Sequence, residues 1–188
     1  MPRQATHIRD AAPEDADELL GLWALVGNGE NSTRAREDAE RALANMAAEP
    51  DVRMVVAEIE DRIVGSIHLS RSSISPLVLE PAVHTSFLIV LPEYRRHGVA
   101  HALLEAAVSW AEEKDIDQVT AITDGNRDTN RFFARLGLVT FANMRHSGTG
   151  ALRKKISTER SRVTGGSNRH LIEVLAQRRS MRRRQASN

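Results

Sequence analysis

Phe87-Leu88-Ile89-Val90-Leu91-Pro92-Glu93-Tyr94-Arg95-Arg96-His97-Gly98-Val99-Ala100 decides how this chain folds. The first five residues are apolar and suit a strand buried near the middle of a sheet. After Ala100, Leu103, Leu104, Ala107, Val108 and Ala111 recur at helical spacing. Between strand and helix lies a short basic loop with one glycine. A helix N-terminus has backbone N–H groups without intrahelical partners, and its dipole favours negative charge. Gly98 lets that backbone approach a ligand without a Cβ in the way. Strand, basic loop and helix start together predict an anion site, and a ligand that carries phosphate.

The pattern extends in both directions. Upstream, Thr6–Arg9 reads as a short strand, and Pro13 opens a helix whose first turn holds Glu14, Asp15 and Asp17. Leu19, Leu20, Leu22, Trp23 and Val26 give that helix an apolar face, and Gly27-Asn28-Gly29-Glu30-Asn31-Ser32 breaks it. Thr33 is placed to cap a second helix that ends near Glu49-Pro50. Arg53–Ile59 and Arg62–Ser70 flank Glu60-Asp61 and predict an antiparallel hairpin. Pro76 and Pro81 mark a loop before a strand over Val83–Leu91. Downstream, a helix over 98–114 is expected to lead to a strand over Asp117–Thr123, parallel to Val83–Leu91. A helix over Asn126–Leu136 should close at Gly137. Leu138–Arg145 and Ala151–Ile156 read as a closing hairpin. This order predicts an α/β (α+β) fold: a mixed, mostly antiparallel sheet with one parallel pair that splays apart, and helices on both faces.

The motif-bearing stretch resembles the acetyl-CoA signature of the GNAT acetyltransferase superfamily, Arg/Gln-x-x-Gly-x-Gly/Ala. Arg95, Gly98 and Ala100 fill its places, and Val90, Pro92 and Tyr94 match the residues that usually precede it. A second family motif, Asn-x-x-Ala-x-x-Phe-Tyr-x-x-x-Gly-Phe, resembles Asn126, Thr129, Phe132, Phe133, Gly137 and Leu138, with three substitutions. Ile8-Arg9 and Pro13-Glu14-Asp15 are similar to the family's start. The resemblance implies one acetyltransferase domain over 1–156, followed by a basic extension over 157–188. It also implies acetyl-CoA as co-substrate and no metal. Arg95, Arg96, His97, Gly98, Val99, Ala100 and His101 would hold the pyrophosphate. Leu88, Ile89 and Val90 would pair through their backbone with the pantetheine arm, and a backbone N–H on that strand would polarise the thioester carbonyl. Asn126 and Phe133 would border the cofactor. Phe133 stands where many members have a Tyr beside the sulfur, and Phe has no proton to give the leaving thiolate. The segment joining the first two helices would help to form the acceptor site.

Composition narrows the rest. The chain has 188 residues, and it contains no cysteine, which excludes disulfides, thiolate nucleophiles and thiolate metal sites. No apolar run is long enough to span a membrane and no signal core opens the chain, so a cytoplasmic location is expected. The net charge of +1 conceals an asymmetry: residues 157–188 hold eight Arg and two Glu, or +6, which leaves −5 on the remainder. The acidic body favours a cationic amine acceptor, on a small molecule or a peptide. The Arg-rich tail suits either a solubilising end, docked on a second copy in a homodimer, or contact of 169–184 with nucleic acid.

Among the histidines, His84 and His68 lie in strands flanking the expected acceptor cleft. His84 shares strand parity with Ser86, Leu88 and Val90 and is the candidate general base, because an ammonium must lose a proton before it can attack. The alternative, which the residue pattern favours, is a structural, hydrogen-bonded histidine. His97 and His101 lie four apart, but no third metal ligand is indicated near them. The resulting expectation is an N-acetyltransferase acting on a primary amine. An acyl-CoA-binding module without turnover and a nucleic-acid-associated protein are the alternatives.

Overall fold

The computed structural model describes residues 5–25, 33–123, 125–142 and 145–160. The expected break over 27–32 and the Arg-rich tail beyond residue 160 lie outside these. Residues 1–140 and 141–188 form separate compact units. The first contains a five-stranded sheet in the order β1 (His7–Asp10), β2 (Val52–Ile59), β3 (Arg62–Ser75), β4 (Val78–Val90) and β5 (Gln118–Ala121). The first three pairings are antiparallel and β4–β5 is parallel, as the mixed sheet requires. Helices α1 (Ala16–Ala24), α2 (Thr33–Ala48), α3 (Val99–Glu113) and α4 (Arg127–Arg135) complete the unit.

Each turn has a local cause. Glu60 and Asp61 both take positive φ, 52° and 59°, which matches a tight turn between right-twisted strands. A short 3-10 turn at Pro13–Asp15 leads into α1, and Asp15 Oδ2 accepts the Ala12 N–H at 2.8 Å. Arg9 bridges Asp15 and Glu58, tying β1 and β2 to that turn. Arg9's hydrogen bond holds the Asp15 carboxyl below its ordinary range. Asn126 caps α4 by accepting the Thr129 N–H at 2.9 Å. Gly137, at φ 84°, ends it. There the N–H groups of Gly137 and Leu138 return to the carbonyls of Ala134 and Phe133, the pairing of a Schellman cap.

The two faces of the sheet are covered differently. On one, α3 buries Val99, Leu103, Ala107 and Trp110 against Val55, Ala57, Ile67, Leu69, Val83 and Val90. On the other, α1 and α2 bury Leu19, Leu22 and Leu43 against Met54, Val56, Ile63 and Ile89. Gly65 marks the closest approach of sheet and helix. A Cβ there would stand 2.9 Å from the Ile89 carbonyl oxygen and 3.1 Å from Val99 Cγ1.

Several expectations change. Ala151–Ile156 is not a strand: residues 149–160 are helical. Leu152, Arg153, Lys154 and Lys155 are good helix formers, and the Leu152 N–H bonds to the Gly148 carbonyl at 2.9 Å. Leu138–Thr140 form no strand either, so the expected closing hairpin is absent among the described residues. Pro76–Pro81 is not an open loop. β3 and β4 continue as a two-stranded ribbon past the last β2 pairing at Ser70, with Ser73 opposite Pro81. Neither β2 nor β5 borders that part of the ribbon, so a proline missing its N–H costs the ladder little. Thr33 is the first residue of α2 rather than its cap. Finally, His84 does not share a face with Leu88 and Val90. Ser66 pairs Ile89 while His68 pairs Ser86, so Phe87 and Leu88 together oppose Ile67. This β-bulge reverses the alternation. It leaves Ile89 on the side of His84 and Ser86, and sends Leu88 and Val90 to the α3 side.

Candidate active site

The anion loop forms as a set of backbone constraints. Arg95 is extended and its Nε donates to the Val90 carbonyl at 3.1 Å, folding the loop back onto the end of β4. Arg96 at φ 64° and Gly98 at φ 92° are both left-handed, and between them His97 Nδ1 lies 2.8 Å from the Arg95 carbonyl. Gly98 is the N-cap of α3 and supplies no capping side chain. The first N–H of the helical ladder is that of Ala102, bonded to Gly98 at 3.0 Å. The N–H groups of Val99, Ala100 and His101 therefore precede the ladder. A Cβ built on Gly98 would meet nothing within 4 Å, so the space beside this helix start is open. Arg95, Arg96, His97 and His101 are exposed around it, whereas Val99 is buried in the core and anchors the helix beneath.

The loop is fixed to the sheet from below. Pro92–Tyr94 makes a 3-10 turn, and the Arg62 guanidinium lies 5.9 Å from the Tyr94 ring and 3.4 Å from the Glu93 carboxylate. The Leu91 N–H donates to Val64 at 2.9 Å and extends the β3–β4 ladder to the loop's edge.

Beside the loop, β4 and β5 part. Their register runs from Ala82 opposite Gln118 to Thr85 opposite Ala121, and the Ile122 N–H makes a last bond to Thr85 at 2.8 Å. β4 continues to Val90, so the edge of Ser86–Val90 that faces away from β3 has no β5 ladder. This is the splayed parallel pair. Phe87 lies in the bulge at φ 51°, a left-handed conformation costly for a large aromatic residue.

α4 reaches the same region. The His101 ring meets Phe132 edge-on at 5.2 Å, and Phe132 meets Phe133 at 5.2 Å. Phe133 is buried and Phe132 half-buried, so edge-to-face rings link α4 to the start of α3. The side-chain oxygen of Asn126 is engaged in capping its own helix.

On the α1/α2 side the sheet carries a polar patch. His68 lies opposite Ser86 and its Nδ1 is 3.0 Å from Ser86 Oγ. His84 lies opposite Thr120 and its Nδ1 is 2.7 Å from Thr120 Oγ1. His84 Nε2 is buried and meets no hydrogen-bond partner among the described residues. Burial pushes the His68 imidazole below the usual histidine range, which favours its neutral form. Trp23 of α1 stacks on Phe87, with centroids 4.7 Å apart and planes 21° apart.

The structure thus brings the loop residues, Leu88–Val90 and α4 to one end of the sheet. It sets His84 and His68 on the α1/α2 side of it. Sequence reasoning took Trp23 for core and missed its stacking on Phe87. The signal was absent, because pairing with Phe87 depends on a bulge that the residue pattern does not reveal. Among the described residues no group of three or more His, Asp or Glu could hold a metal ion. No described helix is long and apolar enough to cross a membrane.

Residues 17–138 match the family model described as the acetyltransferase (GNAT) family. A comparison with curated protein sequences gives no match. Among solved structures, glucosamine-6-phosphate N-acetyltransferase from Arabidopsis thaliana superimposes with a TM-score of 0.66 at 13% identity, covering 78% of this chain and 99% of that one. An aminoglycoside N-acetyltransferase in complex with CoA gives 0.65 at 18% identity, with 79% and 98% covered. Ribosomal-protein-alanine N-acetyltransferase from Brucella melitensis biovar Abortus gives 0.59 at 15% identity, with 77% and 99% covered. At these identities the likeness establishes a shared fold.

Proposed function

The chain belongs to the GNAT acetyltransferase family, and from that premise we propose an acetyl-CoA-dependent N-acetyltransferase that acylates a primary amine of a small molecule or peptide. The observation that carries this reading is the loop at 95–101. Two left-handed residues and an uncapped helix start turn successive N–H groups toward open space, with Arg95 and Arg96 beside them. That set fits a pyrophosphate. The free edge of Leu88, Ile89 and Val90 fits an extended amide-bearing arm, which would pair with it as an added strand.

Acetyl-CoA would supply an activated acyl group on a thioester. This chain's residues then have three tasks. The loop and the β4 edge hold donor and acceptor together, which removes the entropic cost of encounter. A backbone N–H of the edge polarises the carbonyl. A general base, for which His84 is the candidate, takes a proton from the incoming ammonium. Phe133 borders the donor and offers no proton, so the departing thiolate leaves without help from that position.

Isothermal titration with CoA tests the reading. Gly98→Glu puts a carboxylate into the open space at the helix start. Affinity should fall at least tenfold, about 1.4 kcal/mol. Arg96→Glu, exposed and remote from the core, should weaken binding in the same direction. Unchanged affinity in both folded variants would remove the loop from the cofactor site. Truncation after residue 156 probes the domain boundary: CoA affinity should be unaltered if 157–188 lies outside the catalytic domain.

A further inference from the structure

We infer that the acceptor side of this site is built for an amine carried on a flat, apolar body, and that Trp23 and Phe87 select it. The inference rests on the acetyltransferase reading above and narrows its acceptor.

Phe87 is the first argument. The bulge needs a left-handed residue, and Gly or Asn would supply one at lower cost. The chain instead places a phenyl ring there, 44% exposed, with one face covered by the Trp23 ring. The result is an aromatic step at the point where the β4 edge becomes free. A flat ring can stack on such a step or meet it edge-on and bury apolar surface against it, whereas an aliphatic ammonium is held there by cation–π attraction alone.

Trp23 is the second. Its Nε1 is buried and finds no acceptor among the described residues. Tyr and Trp polar atoms normally find a partner when buried. A Trp kept there at that cost, stacked on Phe87, is held for its ring surface, which backs the exposed phenyl.

The charge of the surroundings is the third. The rows beside the bulge present Ser66, His68 and Ser70 on β3, and His84 and Ser86 on β4. None of these is a carboxylate, and burial lowers the His68 pKa, which favours its neutral form. The nearby carboxylates of α1 are engaged elsewhere: Glu18 accepts the Ile63 N–H, and Asp17 pairs with Arg36. A polyamine would bring a second ammonium against this patch and lose hydration without gaining a counter-charge. A monoamine on an aromatic or similar flat frame gives up one ammonium proton to a base, and with it its only charge, and keeps the rest of its surface on the aromatic step.

The experiment measures CoA release from acetyl-CoA by the full chain with 2-phenylethylamine, spermidine and glucosamine, with CoA affinity by calorimetry in parallel. The expected result is a kcat/KM for 2-phenylethylamine at least tenfold above the other two. Phe87→Ala and Trp23→Leu should each collapse that ratio, with CoA affinity and melting temperature as controls for folding. Saturation-transfer NMR of 2-phenylethylamine with CoA present gives a second readout, in which either substitution should abolish the signal. Equal or greater activity with spermidine overturns the inference. So does a ratio that survives both substitutions, or a 2-phenylethylamine that is neither acetylated nor bound while CoA binds. Failure of CoA itself to bind would instead remove the acetyltransferase reading on which the inference stands.

Discussion

The two faces of one sheet have opposite compositions. The α3 face is closed and apolar: Val55, Ile67, Leu69, Val83 and Leu103 are each no more than 1% exposed. The α1/α2 face begins in the same way at Met54, Val56 and Ile63. Toward β4 and β5 it turns to Ser66, His68, Ser86, His84 and Thr120. The helices α1 and α2 pack over its apolar half, and the polar half lies beside the end where β4 and β5 part. The two histidines of the sheet, His68 and His84, both lie on the polar half. Since β4 belongs to both faces, the bulge at Phe87 and Leu88 is what lets it serve each in turn.

The largest effect should come from breaking the closed face. Leu103 is fully buried between α3 and the sheet. Leu103→Ala removes its contacts and leaves a cavity, so unfolding stability should drop by about 2–5 kcal/mol. Denaturant titration checks this. A loss below about 1 kcal/mol would mean that the α3 face collapses around small side chains and is not the rigid half of the molecule.

Gly65→Ala should rank second. The added methyl has the Ile89 carbonyl at 2.9 Å, Val99 Cγ1 at 3.1 Å and Leu103 Cδ1 at 3.2 Å. Side chains can yield, but the backbone carbonyl cannot move without disturbing β4 next to its bulge. A cost of about 1–3 kcal/mol is expected. CoA affinity should fall as well, since Val99 seats the helix start that faces the ligand. Lost stability with full CoA affinity would show that the two faces are uncoupled.

Most of the closed face was legible in the sequence, and less of the open one was. The strand–loop–helix at 87–111, the hairpin around Glu60-Asp61 and the end of α4 at Gly137 rest on local rules: periodicity, turn chemistry and capping. Each formed where those rules put it. The failures have non-local causes. Strict alternation placed His84 with Leu88 and Val90, and a two-for-one opposition to Ile67 broke that parity. Pro76 and Pro81 suggested a loop, but the ribbon they sit in has no outer neighbour to miss a proline N–H. Ala151–Ile156 was short enough to suit either period, and the run of Arg and Lys there decided for helix. Trp23 was legible as apolar, though not as the partner of Phe87, because its contact crosses from α1 to a bulge.

The smallest effect should be one of pH, and it separates the two faces by charge. The buried residues of the α3-side cluster are all apolar, so their contribution to stability should not change with mild acidification. His68 on the other face has its pKa lowered by burial, so the unfolded chain binds a proton there more readily than the folded one. Its effect is therefore absent above the unfolded value, about 6.5. It appears as lost stability when pH falls through that value, and levels off once the folded imidazole titrates. The slope cannot exceed one proton, about 1.4 kcal/mol per pH unit. His68→Gln keeps a polar side chain opposite Ser86 and has no proton to gain, so its melting temperature should vary less with pH between about 7 and 5. Acid loss at Asp15, whose carboxyl is held low by Arg9, should remain in both proteins and lie at lower pH, below the ordinary carboxylate value near 3.9. Identical pH curves for wild type and variant would mean that His68 is hydrated in the folded protein. The polar half of the sheet would then be open water rather than a sheltered pocket, and the neutral imidazole invoked for the acceptor side would lose its physical basis.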